Sequence, residues 1–239
     1  MREDVEQTVT LPVEALSAVW DMLDLGEQHP LLRAGRVWVK SGAHRELHDA
    51  TINLLAQLGL AENAAPSAHL RATLQVLAFA EREYFAWSAL RGGIQRTAIV
   101  AQREQTAILV SAQDGLVEIR PAAPTRLATT LFDTLPQIPG APVRSVSVTP
   151  ASDAAPDPFD ETNSHEYLTA TLNQPADATH QLYVARRTEG RHLTGGPVLA
   201  ADVKSGRILT YQTTEGRTEL ISGTPRAIVK ILNDTFAAL

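Results

Sequence analysis

The sequence predicts an α+β protein in which two strand–hairpin–helix units share one antiparallel sheet, with helices packed against it. Three observations lead there. Short runs rich in Val, Ile and Thr alternate with segments of helical period along the chain. One strand–turn–strand–helix pattern occurs twice, over Thr97–Leu135 and Val198–Phe236. The 239 residues, 44% of them apolar and 20% charged, suffice for a sizeable core.

The elements follow in order. Val5–Leu11 reads as a strand, and Pro12 suits a helix start because its fixed φ fits and its missing N–H is not needed there. Leu16, Val19, Trp20 and Leu23 recur at helical spacing until Gly26 and Pro30. Arg36–Lys40 is a short strand candidate. His44–Leu58 is a second helix with Gly59 as its stop, and Ser67 can cap a third carrying Leu70, Leu74 and Leu77. Strands are expected at Glu83–Arg91, Arg96–Arg103, Gln105–Ala112 and Leu116–Arg120. Pro124 then opens a helix with Leu127, Leu131 and Leu135 in register.

Eight of the 14 prolines lie between Pro121 and Pro158, so most of that stretch reads as loop, with Val143–Val148 its one strand-like run. Between Asp153 and Asp177 there are six acidic residues and no Lys or Arg, which reads as a solvated acidic loop. A modest helix is expected at Glu161–Leu172. Gln181–Arg187, Pro197–Lys204, Arg207–Gln212 and Arg217–Ser222 are strand candidates, and Thr224-Pro225 opens a closing helix.

The repeat aligns without a gap at an offset of 101 residues: Asp114-Gly115 falls on Glu215-Gly216, Pro124 on Pro225, and Leu127 and Leu131 on Ile228 and Leu232. An acidic-Gly turn supplies the positive φ that a tight hairpin needs, and the proline recurs at a fixed distance behind it. Each unit has one sheet face and one helix and cannot close a core alone. The expectation is two halves, 1–139 and 140–239, sharing a core about a pseudo-twofold. The copies differ in the links before their hairpins: a tight Arg91-Gly92-Gly93-Ile94 in the first and a longer Thr188–Gly196 in the second.

Composition narrows function. There is no cysteine, which removes disulfide frameworks and thiolate metal sites. The net charge of −6 gives no support for a nucleic-acid partner. The start Met1-Arg2-Glu3-Asp4 is acidic rather than signal-like, and no apolar stretch approaches the length of a membrane span. A cytoplasmic protein without membrane insertion is expected.

The catalytic constellations are weak. His44 and His48 stand at i, i+4, but Glu46 is misplaced for the zinc-protease pattern. Ser164-His165-Glu166 holds triad residue types as chain neighbours, whereas a triad meets through space. Gly92-Gly93 and Gly195-Gly196 lack a phosphate-loop context. Trp20, Trp38 and Trp87 read as core or edge packing. No enzyme, cofactor or metal site is expected.

The full pattern resembles the EspG family of actinobacterial type VII secretion-associated proteins. The resemblance rests on Leu11-Pro12 to Leu25-Gly26, His29-Pro30, Leu54–Leu60, the run ending at Leu135-Pro136, Ser205-Gly206-Arg207, Glu215-Gly216-Arg217 and the closing helix. It implies a central, mostly antiparallel sheet flanked by helical bundles, with quasi-twofold related halves. It also implies a cytosolic chaperone that binds helical secreted substrates such as PE–PPE heterodimers, keeps them soluble and delivers them for export. The strand-linking loop that contacts such substrates matches Arg91, Gly92, Gly93, Ile94 and Gln95, which is short here. Arg187, Arg191 and His192 form a further candidate contact set near the second link. A monomer or weak homodimer is expected. A small-molecule-binding α+β protein and a homodimeric structural or regulatory protein stay open as alternatives.

Overall fold

A computed structural model of the chain describes residues 8–35, 43–149, 161–188 and 191–239. The strand expected at Arg36–Lys40 lies outside them, as do Trp38 and the side chain of His44.

The chain opens with β1 (Val9–Pro12) and α1 (Val13–Met22), then a 3-10 turn (Pro30–Gly35), α2 (Ala43–Gln57), the short strands β2 (Ala61–Glu62) and β3 (Ala65–Pro66), and α3 (Ala68–Ala78). Next come β4 (Arg82–Leu90), β5 (Ile94–Arg103), β6 (Thr106–Gln113), β7 (Leu116–Ala122) and α4 (Leu127–Phe132). After β8 (Val146–Val148) and α5 (Glu161–Leu172), the chain forms β9 (Ala176–Thr188), β10 (Arg191–Val203), β11 (Gly206–Gln212), β12 (Thr218–Ser222) and α6 (Pro225–Ala237). The caps follow from side-chain chemistry. The Ser67 and Thr224 hydroxyls accept from the Leu70 and Ala227 N–H groups, each at 3.2 Å.

Ten strands form one sheet in the order β1-β7-β6-β5-β4-β9-β10-β11-β12-β8, and every pairing is antiparallel. Read from the centre outward, the first half repeats in the second, β4 matching β9 and β1 matching β8. The dyad passes between Ala86 and Leu182, which face each other across β4 and β9. Their outer partners, Ala98 and Val198, are equivalent in turn.

One face of the sheet carries α4 and α6 over a core drawn from both halves, including Tyr84, Val100, Leu109, Leu131, Leu182, Ala200, Leu209, Leu232 and Phe236. On the opposite face, α1–α3 cover the first half around Leu16, Trp20, Leu74, Ile99 and Ile108, with Leu11 joining from the edge strand β1. There α5 covers the second half around Leu168, Ile208 and Leu220, with Val146 joining from the edge strand β8.

The pairing corrects the gapless repeat. Val100 sits beside Leu109, and Ala200 beside Leu209, so β5 and β6 map onto β10 and β11 at an offset of 100. Ile119 pairs with Val110 and Leu220 with Thr210, so β7 maps onto β12 at 101, as does α4 onto α6. The extra residue lies in the turn. Asp114 and Gly115 close the first hairpin, both at positive φ, while Thr213 and Arg217 close the second over three residues with Gly216 at φ 77°. A gapless match would place Val100 on Ala201, on the wrong face of the sheet, because strand side chains alternate.

Three further expectations change. Pro124 does not open α4, which begins at Leu127, whereas Pro225 does lie in the first turn of α6. The long link Thr188–Gly196 is strand instead: Thr188 pairs with Arg191, and β10 runs from there with a register shift between Gly195 and Val198. Of the stretch from Asp153 to Asp177, the described residues 161–177 form the helix expected at Glu161–Leu172, a short turn and the start of β9 rather than an acidic loop.

Candidate partner-binding surface

Leu90 pairs with Ile94, so Arg91-Gly92-Gly93 forms the turn between β4 and β5. Both glycines hold positive φ, 85° and 80°, a conformation an L side chain rarely adopts. All five residues from Arg91 to Gln95 are exposed. Ile94 presents an apolar side chain at 39% exposure. Arg91 reaches Asp177 at the start of β9 at 3.2 Å, a pair too exposed to hold the turn strongly.

Arg187, Arg191 and His192 lie at the other end of the sheet. Leu90 is opposite Ala178 and Arg82 opposite Arg186, so eight residues of strand, about 26 Å, separate the two clusters. The structure therefore does not bring the two candidate sets into one patch. The dyad makes their hairpins counterparts at opposite ends. Arg191 is exposed beside the β9–β10 turn. The Arg187 guanidinium donates to the Ala78 carbonyl at 3.1 Å, tying β9 to the end of α3.

His192 lies 3.1 Å from the Glu83 carboxylate, which is 4% exposed. Burial raises the Glu83 pKa against the opposing hydrogen bond from His192. Nearby, His29 meets the Phe85 ring edge-on at 5.1 Å, and Phe85 stacks on Tyr183 at 5.2 Å. Burial, with the charges of His192 and Arg33, lowers the His29 pKa to about 4. The ring is therefore neutral near pH 7, and its Nδ1 accepts from the Leu31 N–H at 3.2 Å.

A family model for the EspG family matches residues 12–234. The chain belongs to the EspG family. A solved structure, that of the Mycobacterium tuberculosis type VII secretion system chaperone EspG5 in complex with the PE25–PPE41 dimer, superposes with a TM-score of 0.73 at 18% identity, covering 96% of each chain. That likeness establishes the fold, α+β with one large antiparallel sheet and flanking helices. A search of curated proteins gives no match.

Within this EspG-family fold, several notable residues had no signal in the sequence. Leu199, 44% exposed, lies on the sheet face that α4 and α6 leave free, flanked through Gln181 by Trp87. Its pattern is that of any strand residue.

A hidden polar chain crosses the dyad. Ser88 Oγ is 2.8 Å from His180 Nδ1, and His180 Nε2 is 3.2 Å from Asp202 Oδ2. Arg207 donates to the same carboxylate from Nε at 2.6 Å and Nη2 at 2.8 Å. Burial works against the Asp202 charge, but the hydrogen bonds from Arg207 and His180 outweigh it and hold its pKa below the usual carboxylate value. The residue types are those of a hydrolytic triad. All four are buried, however, and the connector at Pro136–Ala141 is bound directly to Arg207, so no substrate carbonyl has a path to Ser88. Ser164, His165 and Glu166 are neighbours on α5, where His165 and Glu166 are exposed. Among the described residues there is no cluster of three or more His, Asp or Glu arranged to hold a metal, and no helix long and apolar enough to cross a membrane.

Proposed function

We propose that the chain is a chaperone of type VII secretion, binding a helical PE–PPE-type pair in the cytoplasm and keeping it soluble until export. The observation that carries this reading is membership of the EspG family across residues 12–234. The likeness of the whole fold to a chaperone solved with its PE–PPE dimer supports it. The role is binding without catalysis and needs no cofactor.

The surface chemistry suits such a client. An exposed apolar helical tip invites aggregation, and covering it requires a rigid apolar patch with a polar rim. We place the contact at the β4–β5 turn, where Ile94 is framed by Arg91 and Gln95 on a ten-stranded scaffold. Arg187, Arg191 and His192, at the far end, are a second candidate contact for a client long enough to span the sheet.

The test is co-expression with a PE–PPE pair from the same genome. A one-to-one complex is expected by size exclusion with light scattering. Ile94→Glu should weaken it about tenfold, since it sets an unpaired charge in an apolar contact. Failure of any PE–PPE pair to co-purify would sink the chaperone reading. A complex indifferent to Ile94→Glu would sink only the placement of the contact.

A further inference from the structure

An open pocket of about 740 Å3 lies beside the C-terminal end of α6, where Arg82, Arg186, Arg187, Thr188, Asn233 and Phe236 meet. Its construction is unusual for a structural cluster. Arg82 and Arg186 stand directly opposite each other on β4 and β9. Like charges at facing positions repel and weaken a sheet. Both guanidinium groups lie over the same Phe236 ring, at 4.7 and 4.5 Å from its centroid. The ring thus holds both guanidinium groups close to one aromatic side chain.

Neither arginine pairs with a carboxylate among the described residues. Arg186 donates to the Phe236 carbonyl at 3.5 Å and Arg82 to the neutral amide of Gln102 at 3.4 Å. Arg82 Nε is buried without a partner. Of the described residues lining the pocket only Glu81 is acidic, and its carboxylate accepts from the Glu104 N–H at 3.3 Å. Asn233 accepts from the Tyr84 hydroxyl at 3.1 Å, which leaves its amide donors for a further partner. In a chain of net charge −6, this concentration of unneutralised donors is local.

We propose that Arg82 and Arg186 form a carboxylate-binding site for an acidic segment of a partner protein. Arginine forks match carboxylate geometry, and a carboxylate here would cancel the repulsion across β4 and β9. The openness of the pocket selects a peptide over a free ion. A small anion would stay largely solvated, whereas a Glu or Asp side chain carries backbone and methylenes to lie along Phe236 and Thr188. The site is separate from the β4–β5 turn, at the opposite end of the strands; it borders the second candidate client contact through Arg187, but its test uses a peptide and reads the site whether or not a PE–PPE pair binds.

The test is fluorescence anisotropy of the full chain with a fluorescein-labelled hexaglutamate peptide. Saturable binding is expected, weakened about tenfold in Arg186→Gln and in Arg82→Gln and unchanged in Arg217→Gln on the distant β11–β12 turn. Equal loss in Arg217→Gln would mean diffuse attraction and would overturn the site. Displacement by inorganic phosphate as readily as by unlabelled peptide would overturn the choice of a peptide. Should the arginine variants fail to fold, the wild-type chain is treated with phenylglyoxal and its arginines read by mass spectrometry. Protection of Arg82 and Arg186 by the peptide is expected, and absence of protection refutes the proposal.

Discussion

His29 shows how one side chain links burial to pH. Its folded pKa, about 4, lies below the ordinary histidine value of 6.5. Between those limits the unfolded chain binds a proton that the native state refuses, so stability is present above pH 6.5 and is lost as pH falls toward 4. The contribution is on the order of 3 kcal/mol. Glu83 runs the other way, since its raised pKa makes the native state take up a proton first. Comparing wild type with His29→Gln removes that offset. Urea unfolding at pH 4.5, 5.5 and 6.5 should show the variant losing less stability on acidification, and parallel curves would refute the assignment. The single-residue signals that the sequence carried well were local ones. Ser67 and Thr224 cap the helices they precede, and Gly92-Gly93 makes the turn, because each effect is decided within a few bonds of its own backbone. The pKa of His29 was not legible, because it depends on Phe85, His192 and Arg33, which the fold alone brings near.

Among elements, Arg207 is the tie. Its side chain holds Asp202 on β10 and the Pro136 carbonyl after α4. Its backbone N–H donates to Pro139, and its carbonyl accepts from Ala141 and Gly223. The connector between the halves is thereby fastened to β11. Gly223 has to be glycine here, because a Cβ would come within 2.5 Å of Arg207 Cγ and 2.9 Å of its carbonyl oxygen. Removing one member of a buried pair leaves the other charge stranded, so Arg207→Met should cost about 3–5 kcal/mol. Arg207→Met with Asp202→Leu should recover most of that loss, measured by urea unfolding. A single variant within 1 kcal/mol of wild type, roughly the worth of an exposed pair, would contradict the tie. The strands β4–β7, β11 and β12 were legible to within two residues from their alternation and turn residues, whereas β9 and β10 begin five and six residues before their expected starts. Register was not. One residue inserted between Thr213 and Arg217 shifts the repeat, and nothing in the residue types of that turn announces the shift.

Over the whole molecule, the two halves meet through β4 and β9, nine paired residues from Arg82–Arg186 to Leu90–Ala178, and through the packing of α4 on α6. Separated, each half would expose a central strand edge and half of the core that holds Tyr84, Leu131, Leu182 and Phe236. We therefore expect residues 140–239 alone to aggregate or form a molten species. A monomer melting cooperatively, by calorimetry and near-UV circular dichroism, would show that the halves fold independently.

The sequence by itself determined the class of fold, the repeated hairpin–helix unit and the resemblance to the EspG family. Periodicity, capping and turn chemistry are written in neighbouring residues. Only the tertiary structure decided that the two candidate contact sets stand at opposite ends of the sheet, that Ser88, His180, Asp202 and Arg207 are a buried strap, and that Arg82 and Arg186 share one ring. Those outcomes follow from the antiparallel pairing of β4 with β9, which joins residues about a hundred positions apart and leaves no periodic trace in either segment.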